Sequence, residues 1–188
     1  MKELIKKTLT DHCRMLEKLE QSGIGTIEKA AKTIIKCIEK GGTIYICGNG
    51  GSAADAQHIA GELIGRFLKD RKSLPAVALS TDSSVITSIA NDYGFDYIFA
   101  KQVEGLVKKQ DCLWALSTSG NSPNVIKAAK LAKKRGAKVI AFTGKINSQL
   151  EKIADVCFCA PNDNSYAVQE MHQIAYHIIC NLVEKQFT

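Results

Sequence analysis

His58 and Glu62 are four residues apart in a segment whose apolar periodicity predicts a helix. Residues with that spacing lie on one face of a helix, one turn apart. An imidazole beside a carboxylate makes either half of a metal site or an acid–base pair. Spacing alone leaves a second interpretation open, in which His58 is a surface residue and Glu62 forms an ion pair with Arg66, a further four residues along.

A second set of such residues lies near the C-terminus. Gln169 and His177 are eight residues apart, about two helical turns, so they lie on broadly the same side of a predicted terminal helix. His172 lies between them in a largely apolar run. Either histidine could equally be a core or interface residue whose hydrogen bonds are satisfied.

The chain also contains two loops suited to binding an anion. The first, residues 48–52, has three glycines, an amide and a hydroxyl directly before a predicted helix. Glycine lets backbone N–H groups approach an anion closely, and a helix N-terminus adds free donors and the positive end of a dipole. The second loop, residues 117–122, carries four hydroxyls. Each loop alone could be an ordinary turn with serine caps, but two at corresponding positions of one sheet favour a ligand site.

Alternating short strands and helices must position these residues. Five apolar strands separated by helices predict an α/β fold, with a parallel sheet covered on both faces. Ligands bind beyond the carboxyl ends of such strands, where both loops fall. We expect one domain over residues 1–188, with residues 1–40 as an N-terminal helical hairpin. Strands are predicted at residues 43–47, 76–79, 112–116, 138–142 and 156–159, and helices at residues 1–22, 26–40, 53–68, 82–91, 95–108, 123–135 and 165–186.

Composition limits the classes of function. The longest apolar runs fall far short of the roughly 20 residues that span a bilayer, and the charged N-terminus has no secretory h-region. We therefore expect a cytoplasmic protein that does not bind membranes. The net charge of +6 would attract phosphorylated metabolites. Aromatic residues are few, at 6%, and do not interleave with the basic ones, so nucleic-acid binding is not expected.

The seven cysteines are odd in number and fall mostly in apolar runs. That pattern indicates reduced, buried thiols of a cytosolic protein. Cys157 and Cys159 would share one face of a predicted strand, but a single pair is a weak metal signal. We expect both to pack in the core.

The two loops, together with residues 90–95 (Ala-Asn-Asp-Tyr-Gly-Phe) and residues 169–172 (Gln-Glu-Met-His), resemble the sugar isomerase (SIS) domain family. Within it the chain is most similar to the phosphoheptose isomerases, and the resemblance covers nearly the whole chain. It implies a flavodoxin-like three-layer sandwich with a five-stranded parallel sheet. It also implies an aldose–ketose isomerase that converts sedoheptulose 7-phosphate to D-glycero-D-manno-heptose 7-phosphate. That reaction is the first step of heptose synthesis for the lipopolysaccharide or capsule of a Gram-negative bacterium.

The resemblance also implies roles for individual residues. One zinc ion per subunit is expected, and its expected ligands are His58, Glu62, Gln169 and His177. The expected catalytic acid–base residues are Glu62 and His177. The expected substrate-binding residues are Asn49, Gly50, Gly51, Ser52, Glu62, Asn91, Asp92, Ser117, Thr118, Ser119, Ser122 and Gln169. A homotetramer with sites at subunit interfaces is expected, and the apolar stripe of the N-terminal helices suits such packing.

Two alternatives remain within the resemblance. A related SIS protein is a non-catalytic scaffold that binds the bacterial replication initiator, but it lacks the equivalents of Glu62 and His177. Other SIS activities, such as a different sugar-phosphate isomerase or a sugar-binding regulator, usually come with two SIS copies or an added domain. The presence of Glu62 and His177 in a single-copy chain therefore favours the isomerase.

Overall fold

The computed structural model describes residues 1–160 and 162–188. Within those residues, five parallel strands form one sheet in the spatial order β2-β1-β3-β4-β5. The strands are β1 (Ile44–Cys47), β2 (Ala76–Ala78), β3 (Cys112–Ser117), β4 (Lys138–Thr143) and β5 (Val156–Cys159). The predicted α/β fold is confirmed, and each predicted strand is present to within one residue at either end.

Helices cover both faces of the sheet. They are α1 (Lys2–Ser22), α2 (Ile24–Glu39), α3 (Gly51–Ile64), α4 (Ser83–Tyr93), α5 (Ile98–Leu106), α6 (Pro123–Lys134), α7 (Gln149–Ile153) and α8 (Ser165–Gln186). Apolar residues of α2, α3 and α8 form the core on one face, and those of α4 to α7 form the core on the other. The predicted three-layer sandwich is therefore confirmed.

The side chains of β3 show how one strand serves both cores. Trp114 and Leu116 pack with α2, α3 and α8, while Leu113 and Ala115 pack with the helices of the opposite face. Successive strand residues point to opposite faces, so a strand buried on both sides must be apolar throughout. All six residues of β3 are buried.

The sheet has one point where the chain changes direction across it. After β1 the chain crosses to β2 at one edge, and after β3 it crosses to β4 on the other side. The gap between β1 and β3 is therefore a topological switch point, the place where open α/β sheets bind ligands. Both predicted anion loops follow these two strands.

Several predicted helix boundaries differ from those in the structure. Helix α3 ends at Ile64, not at residue 68, because the Glu184 carboxylate takes the N–H groups of residues 67–69. Gly25, predicted to interrupt the N-terminal helices together with Gly23, lies inside α2. The helix predicted from residue 95 begins as a short 3-10 turn, Phe95–Tyr97.

Helix α7 was missed because it has only five residues. Its sequence did carry a signal. Ser148 caps it by accepting from the Glu151 N–H at 3.3 Å, and Glu151 reaches back to the Asn147 N–H at 2.5 Å. The Ser-x-x-Glu sequence is that of a capping box, although Glu151 accepts here from Asn147, the residue before the N-cap, and not from the N-cap itself.

The prediction of buried, free cysteines is met in part. Cys37, Cys47, Cys112 and Cys180 are buried and free, and burial raises the pKa of Cys47 to about 12. Cys13 is exposed, which departs from the predicted pattern of buried thiols. Cys157 and Cys159 are half-buried, since β5 is an edge strand. Cys157 packs against the core on the face of α4 to α7, as predicted, whereas Cys159 belongs to neither core. Among the described helices, none has the length and apolar character needed to cross a membrane.

Candidate active site

An amide pair joins the two loops. Asn49 lies in the first loop, and Asn124 lies in the first turn of α6, directly after the second loop. Asn49 Nδ2 donates to Asn124 Oδ1, and Asn124 Nδ2 donates to Asn49 Oδ1, both at 2.9 Å. Asn124 is only 1% exposed, and its Oδ1 also accepts from the Val125 N–H. A buried amide satisfied in this way fixes the spacing between the loops.

The second loop gathers three of its four hydroxyl groups into one cluster, while the fourth, Thr118 Oγ1, donates to Ser165 Oγ at 3.3 Å. Ser117 Oγ lies 2.9 Å from Ser122 Oγ and 3.3 Å from Ser119 Oγ. Gly120 makes the turn with a φ of +63°, and a Cβ there would lie 2.3 Å from Ser148 Oγ, so only glycine fits. Clustered hydroxyls beside a helix N-terminus are neutral donors of the kind that hold a phosphate group.

His58, Glu62 and His177 converge from two helices. One potential ligand atom from each lies within 4.8 Å of the other two. His58 Nε2 is 2.9 Å from Glu62 Oε1, and the rings of His58 and His177 meet edge to face with centroids 5.0 Å apart. The packing of α3 against α8 thus brings together residues from the two sets that the sequence singled out.

The three side chains fit a divalent metal ion. Zinc bound by four ligands at 2.0–2.2 Å needs its ligand atoms about 3.4 Å apart, so small side-chain rotations would bring these three into contact with one ion. Two imidazoles and a carboxylate with a fourth position open form a donor set of catalytic zinc sites. The structure therefore contains a group that could hold a metal.

Aromatic rings set the environment of His177. Phe67 stacks on it at 5.7 Å between centroids, and Tyr176 contacts it edge-on at 4.7 Å. Partial burial lowers the pKa of His177, His58 lowers it further, and the Glu62 carboxylate acts in the opposite direction. The imidazole is therefore neutral near pH 7, the form that accepts a proton or binds a metal.

A buried ion pair holds the segment that carries Phe67. Glu184 accepts from the N–H groups of Phe67 and Leu68 at 2.8 Å and of Lys69 at 3.0 Å. Its Oε1 also lies 3.3 Å from Arg71 Nε, and the two side chains are 2% and 1% exposed. Burial acts to raise the pKa of Glu184, but these partners outweigh it and hold the pKa below its ordinary value.

The alternative ion pair of Arg66 with Glu62 was wrong. Arg66 lies beyond the end of α3 and is exposed, so helical spacing no longer relates it to Glu62. No ion pair joins the two within the part of the chain that the structure covers. Arg71 Nη2 donates to the backbone carbonyl oxygen of Glu62 at 2.7 Å. The Glu62 carboxylate instead contacts His58 Nε2.

Gln169 lies at the first loop. A Cβ on Gly51 would come within 2.6 Å of the Gln169 amide, so this side chain lies directly beside Gly51. Gln169 precedes His177 on α8 by eight residues, which is about 12 Å along the helix axis. Within one subunit Gln169 therefore belongs with the loops, and its role as a metal ligand stays a prediction.

The remaining predicted sugar-binding residues are more scattered. Ser52 is buried at the start of α3, next to the exposed Gly50, whose φ is +55°. Asn91 and Asp92 are exposed at the C-terminal end of α4, where Asn91 Nδ2 donates to Asp92 Oδ1 at 2.8 Å. Among the described residues, no hydrogen bond joins these two to either loop. Their contact with substrate also stays a prediction.

The sequence did not single out two residues that contact the histidine group. Tyr176 Oη lies 3.1 Å from His58 Nδ1 and 3.5 Å from Asp55 Oδ1. Asp55 precedes His58 by three residues, a spacing that places both on one face of α3 and could have revealed it. Tyr176 stands in an apolar run of α8, where nothing distinguishes it from a core residue.

Comparison with known proteins identifies the relatives of this chain. Residues 9–144 match the family model described as SIS domain. A phosphoheptose isomerase of a Nitratiruptor species is 46% identical over 187 residues, which is 100% of both chains. The structure of a phosphoheptose isomerase from Neisseria gonorrhoeae is similar with a TM-score of 0.92 and 38% identity, over 98% of each chain. One from Francisella tularensis gives a TM-score of 0.93 and 34% identity, over 97% of each chain.

Proposed function

This chain belongs to the SIS domain family and, within it, to the phosphoheptose isomerases, and from that premise we infer that it isomerises sedoheptulose 7-phosphate to D-glycero-D-manno-heptose 7-phosphate. The product enters heptose synthesis for lipopolysaccharide or capsule. The observation that carries this conclusion is the convergence of Glu62 and His177, whose functional atoms lie within 4.8 Å of each other.

The reaction moves hydrogen between C1 and C2 of the sugar. A base takes a proton from C1, an enediol forms, an acid delivers a proton to C2, and a hydroxyl proton passes from O1 to O2. Glu62 is the base at one carbon, and His177 is the acid–base group at the other. A carbon acid beside a carbonyl requires such positioned groups. From ketose to aldose, the Glu62 carboxylate removes the C1 proton and the imidazolium form of His177 delivers a proton to C2. In the reverse direction the neutral imidazole of His177 removes the C2 proton.

The two loops bind the rest of the substrate. The hydroxyl cluster of the second loop and the N-terminus of α6 hold the phosphate. Backbone N–H groups of the first loop, with its glycines, and Gln169 orient the sugar hydroxyls. The proposed phosphate ligands are Ser117, Thr118, Ser119 and Ser122. The proposed sugar ligands are Asn49, Gly50, Gly51, Ser52, Asn91, Asp92 and Gln169.

Zinc is the metal that we propose for the histidine group. His58, Glu62 and His177 would hold it, and their donor atoms fit its coordination. When bound, the ion supplies Lewis-acid polarisation of the oxygens on C1 and C2. The chain's own residues still orient the sugar and move the protons.

Assembly of subunits completes the site in this proposal. Gln169 lies about 12 Å along α8 from His177 and its amide lies beside Gly51, so in this conformation one subunit does not direct both at the same ion. A second subunit would supply Gln169 to the histidine group of the first. Exposed apolar residues suit the tetrameric packing that this requires, for example Leu4, Ile5 and Leu9 on α1 and Ile178 on α8.

The scaffold alternative is not favoured. A protein that only binds a partner has no need of a carboxylate and an imidazole that converge with a second histidine. The full-length similarity to phosphoheptose isomerases points the same way.

The direct test is turnover. Purified protein is incubated with sedoheptulose 7-phosphate, and heptose 7-phosphate is measured by NMR before chelation, after chelation and after zinc is restored. We expect product in the first and third samples and little in the second, with a six-carbon ketose phosphate as the control substrate. Absence of turnover by the zinc-loaded protein would overturn the proposal.

A further inference from the structure

A buried tyrosine links a carboxylate to the histidine group. Tyr176 is 0% exposed, and its hydroxyl oxygen lies 3.1 Å from His58 Nδ1 and 3.5 Å from Asp55 Oδ1. On its far side, His58 Nε2 lies 2.9 Å from Glu62 Oε1. Four polar side chains from α3 and α8 therefore form one chain, in the order Asp55, Tyr176, His58 and Glu62.

The direction of each hydrogen bond in this series of four side chains follows from the carboxylates at its two ends, Asp55 and Glu62. An ionised carboxylate only accepts hydrogen bonds, and the second oxygen of Asp55, Oδ2, is buried without a partner. The single proton of the Tyr176 hydroxyl therefore goes to Asp55. The Tyr176 oxygen then accepts from the His58 Nδ1–H, and the free lone pair of His58 is left on Nε2.

That lone pair faces the Glu62 carboxylate, another acceptor, at 2.9 Å. Two acceptors at this distance are stable only when a cation or a proton lies between them. We propose that Tyr176 is a positioning residue that holds His58 in its Nδ1–H form and so presents Nε2 to a divalent metal ion shared with Glu62 and His177. The inference rests on the proposed function only in taking that ion to be the zinc of the active site.

The packing of Tyr176 supports this role. Its ring meets the His58 ring edge to face at 5.6 Å and the His177 ring at 4.7 Å, so it contacts both imidazoles. The ring fixes their placement by packing, and the hydroxyl fixes the proton on His58. Hydrogen bonds to the non-ligating nitrogen of a metal-binding histidine typically change metal affinity by about 10–100-fold.

The test removes the hydroxyl and keeps the ring. Zinc affinity of the metal-free protein is measured by competition with a chromophoric chelator. We expect Tyr176→Phe to bind zinc about 10–100-fold more weakly than wild type. Tyr45→Phe is the matched control, since Tyr45 is also buried but packs in the opposite core, with its hydroxyl 3.5 Å from the Leu106 carbonyl oxygen. That variant should keep wild-type affinity.

Nitrogen-15 NMR of the histidine rings gives a readout independent of activity. In the zinc-loaded wild type, His58 should carry its proton on Nδ1 and bind the ion through Nε2, and in Tyr176→Phe a form that carries the proton on Nε2 should become populated. Asp55→Asn is a second variant that disturbs the same chain, and we expect it to weaken zinc binding as well. Wild-type zinc affinity in both variants, or an unchanged His58 proton position in Tyr176→Phe, would overturn the inference.

Failure of this inference is distinguishable from failure of the proposed function. A wild-type protein without isomerase activity ends the proposed function, whereas the zinc affinity ratio of Tyr176→Phe to wild type is still measured. If the wild type is active but Tyr176→Phe binds zinc as tightly as wild type, the inference fails and the proposed function stands.

Discussion

Asn49 and Asn124 exchange two hydrogen bonds of 2.9 Å across the gap between β1 and β3. The pair ties the glycine loop to the start of α6 and thereby to the serine loop. Because the first loop is proposed to orient the sugar and the second to hold the phosphate, the pair sets the distance between two ends of one substrate.

Breaking this pair should affect both stability and substrate binding. Asn124→Ala leaves the Asn49 amide unsatisfied, and we expect a loss of about 1–3 kcal/mol in the free energy of unfolding together with a higher KM. The double variant Asn49→Ala/Asn124→Ala should be little worse than the single one, since the interaction is already lost. Urea unfolding and steady-state kinetics measure both effects. A loss in the free energy of unfolding for the double variant that equals the sum of the losses of the two single variants would contradict the coupling.

Gly51 should tolerate a methyl group in folding but not in catalysis. A Cβ there would displace the Gln169 amide, which is the flexible end of a side chain, so the fold should lose less than about 1 kcal/mol. We expect kcat/KM of Gly51→Ala to fall at least about tenfold, as it should in Gln169→Ala. Gly105→Ala is the control, because a Cβ at Gly105 would meet nothing within 4 Å. Wild-type kcat/KM for Gly51→Ala would show that Gln169 is not needed where it lies.

His172 should make the protein less stable in mild acid. It is 0% exposed and donates from Nε2 to the Thr143 carbonyl oxygen at 3.1 Å, and burial lowers its pKa to about 4. The unfolded chain therefore binds more protons than the folded one between about pH 6.5 and pH 4, so stability falls as the pH falls through that range. By pH 5 the loss from this residue is on the order of 2 kcal/mol.

Urea unfolding at pH 7.5 and pH 5 checks this contribution. His172→Gln keeps a donor for Thr143 but does not titrate, so it should be less sensitive to acid than wild type by about that amount. Equal pH dependence in the two proteins would contradict the assignment.

Mixing inactive subunits tests the proposed assembly. Glu62→Gln and Gln169→Ala subunits are dissociated, mixed in equal amounts and reassembled. If Gln169 completes the neighbouring subunit's site, about a quarter of the sites regain every residue, and activity returns to a similar fraction. Glu62→Gln mixed with His177→Gln is the control and should stay inactive, because those two residues act within one subunit. An inactive first mixture would contradict a site shared between subunits.

The sequence predicted the fold well because strand composition and loop chemistry are local. Residues 112–116 had to form a strand buried on both faces, and the serine loop had to follow it. The pairing of His58 with Glu62 was likewise predictable from helical spacing. Their meeting with His177 depends on the packing of α3 on α8, which periodicity does not specify. It was the family resemblance that indicated it.

What the sequence could not supply were contacts between distant side chains. Tyr176 and Asn124 act through partners far away in the chain, and each looks locally like a core residue or a helix start. The end of α3 was misplaced for the same reason. Glu184, on the terminal helix, captures the backbone that would otherwise have extended it.

Proton transfer by Glu62 and His177 is tested most directly by isotope exchange in D2O. The wild type should place one solvent deuteron at C2 of the heptose phosphate formed from sedoheptulose 7-phosphate. Glu62→Gln and His177→Gln should each lower the rate of label entry by at least about 100-fold, while Glu104→Gln, an exposed residue of α5, should not. Label entry at the wild-type rate in Glu62→Gln, or unlabelled product from the wild type, would contradict the account.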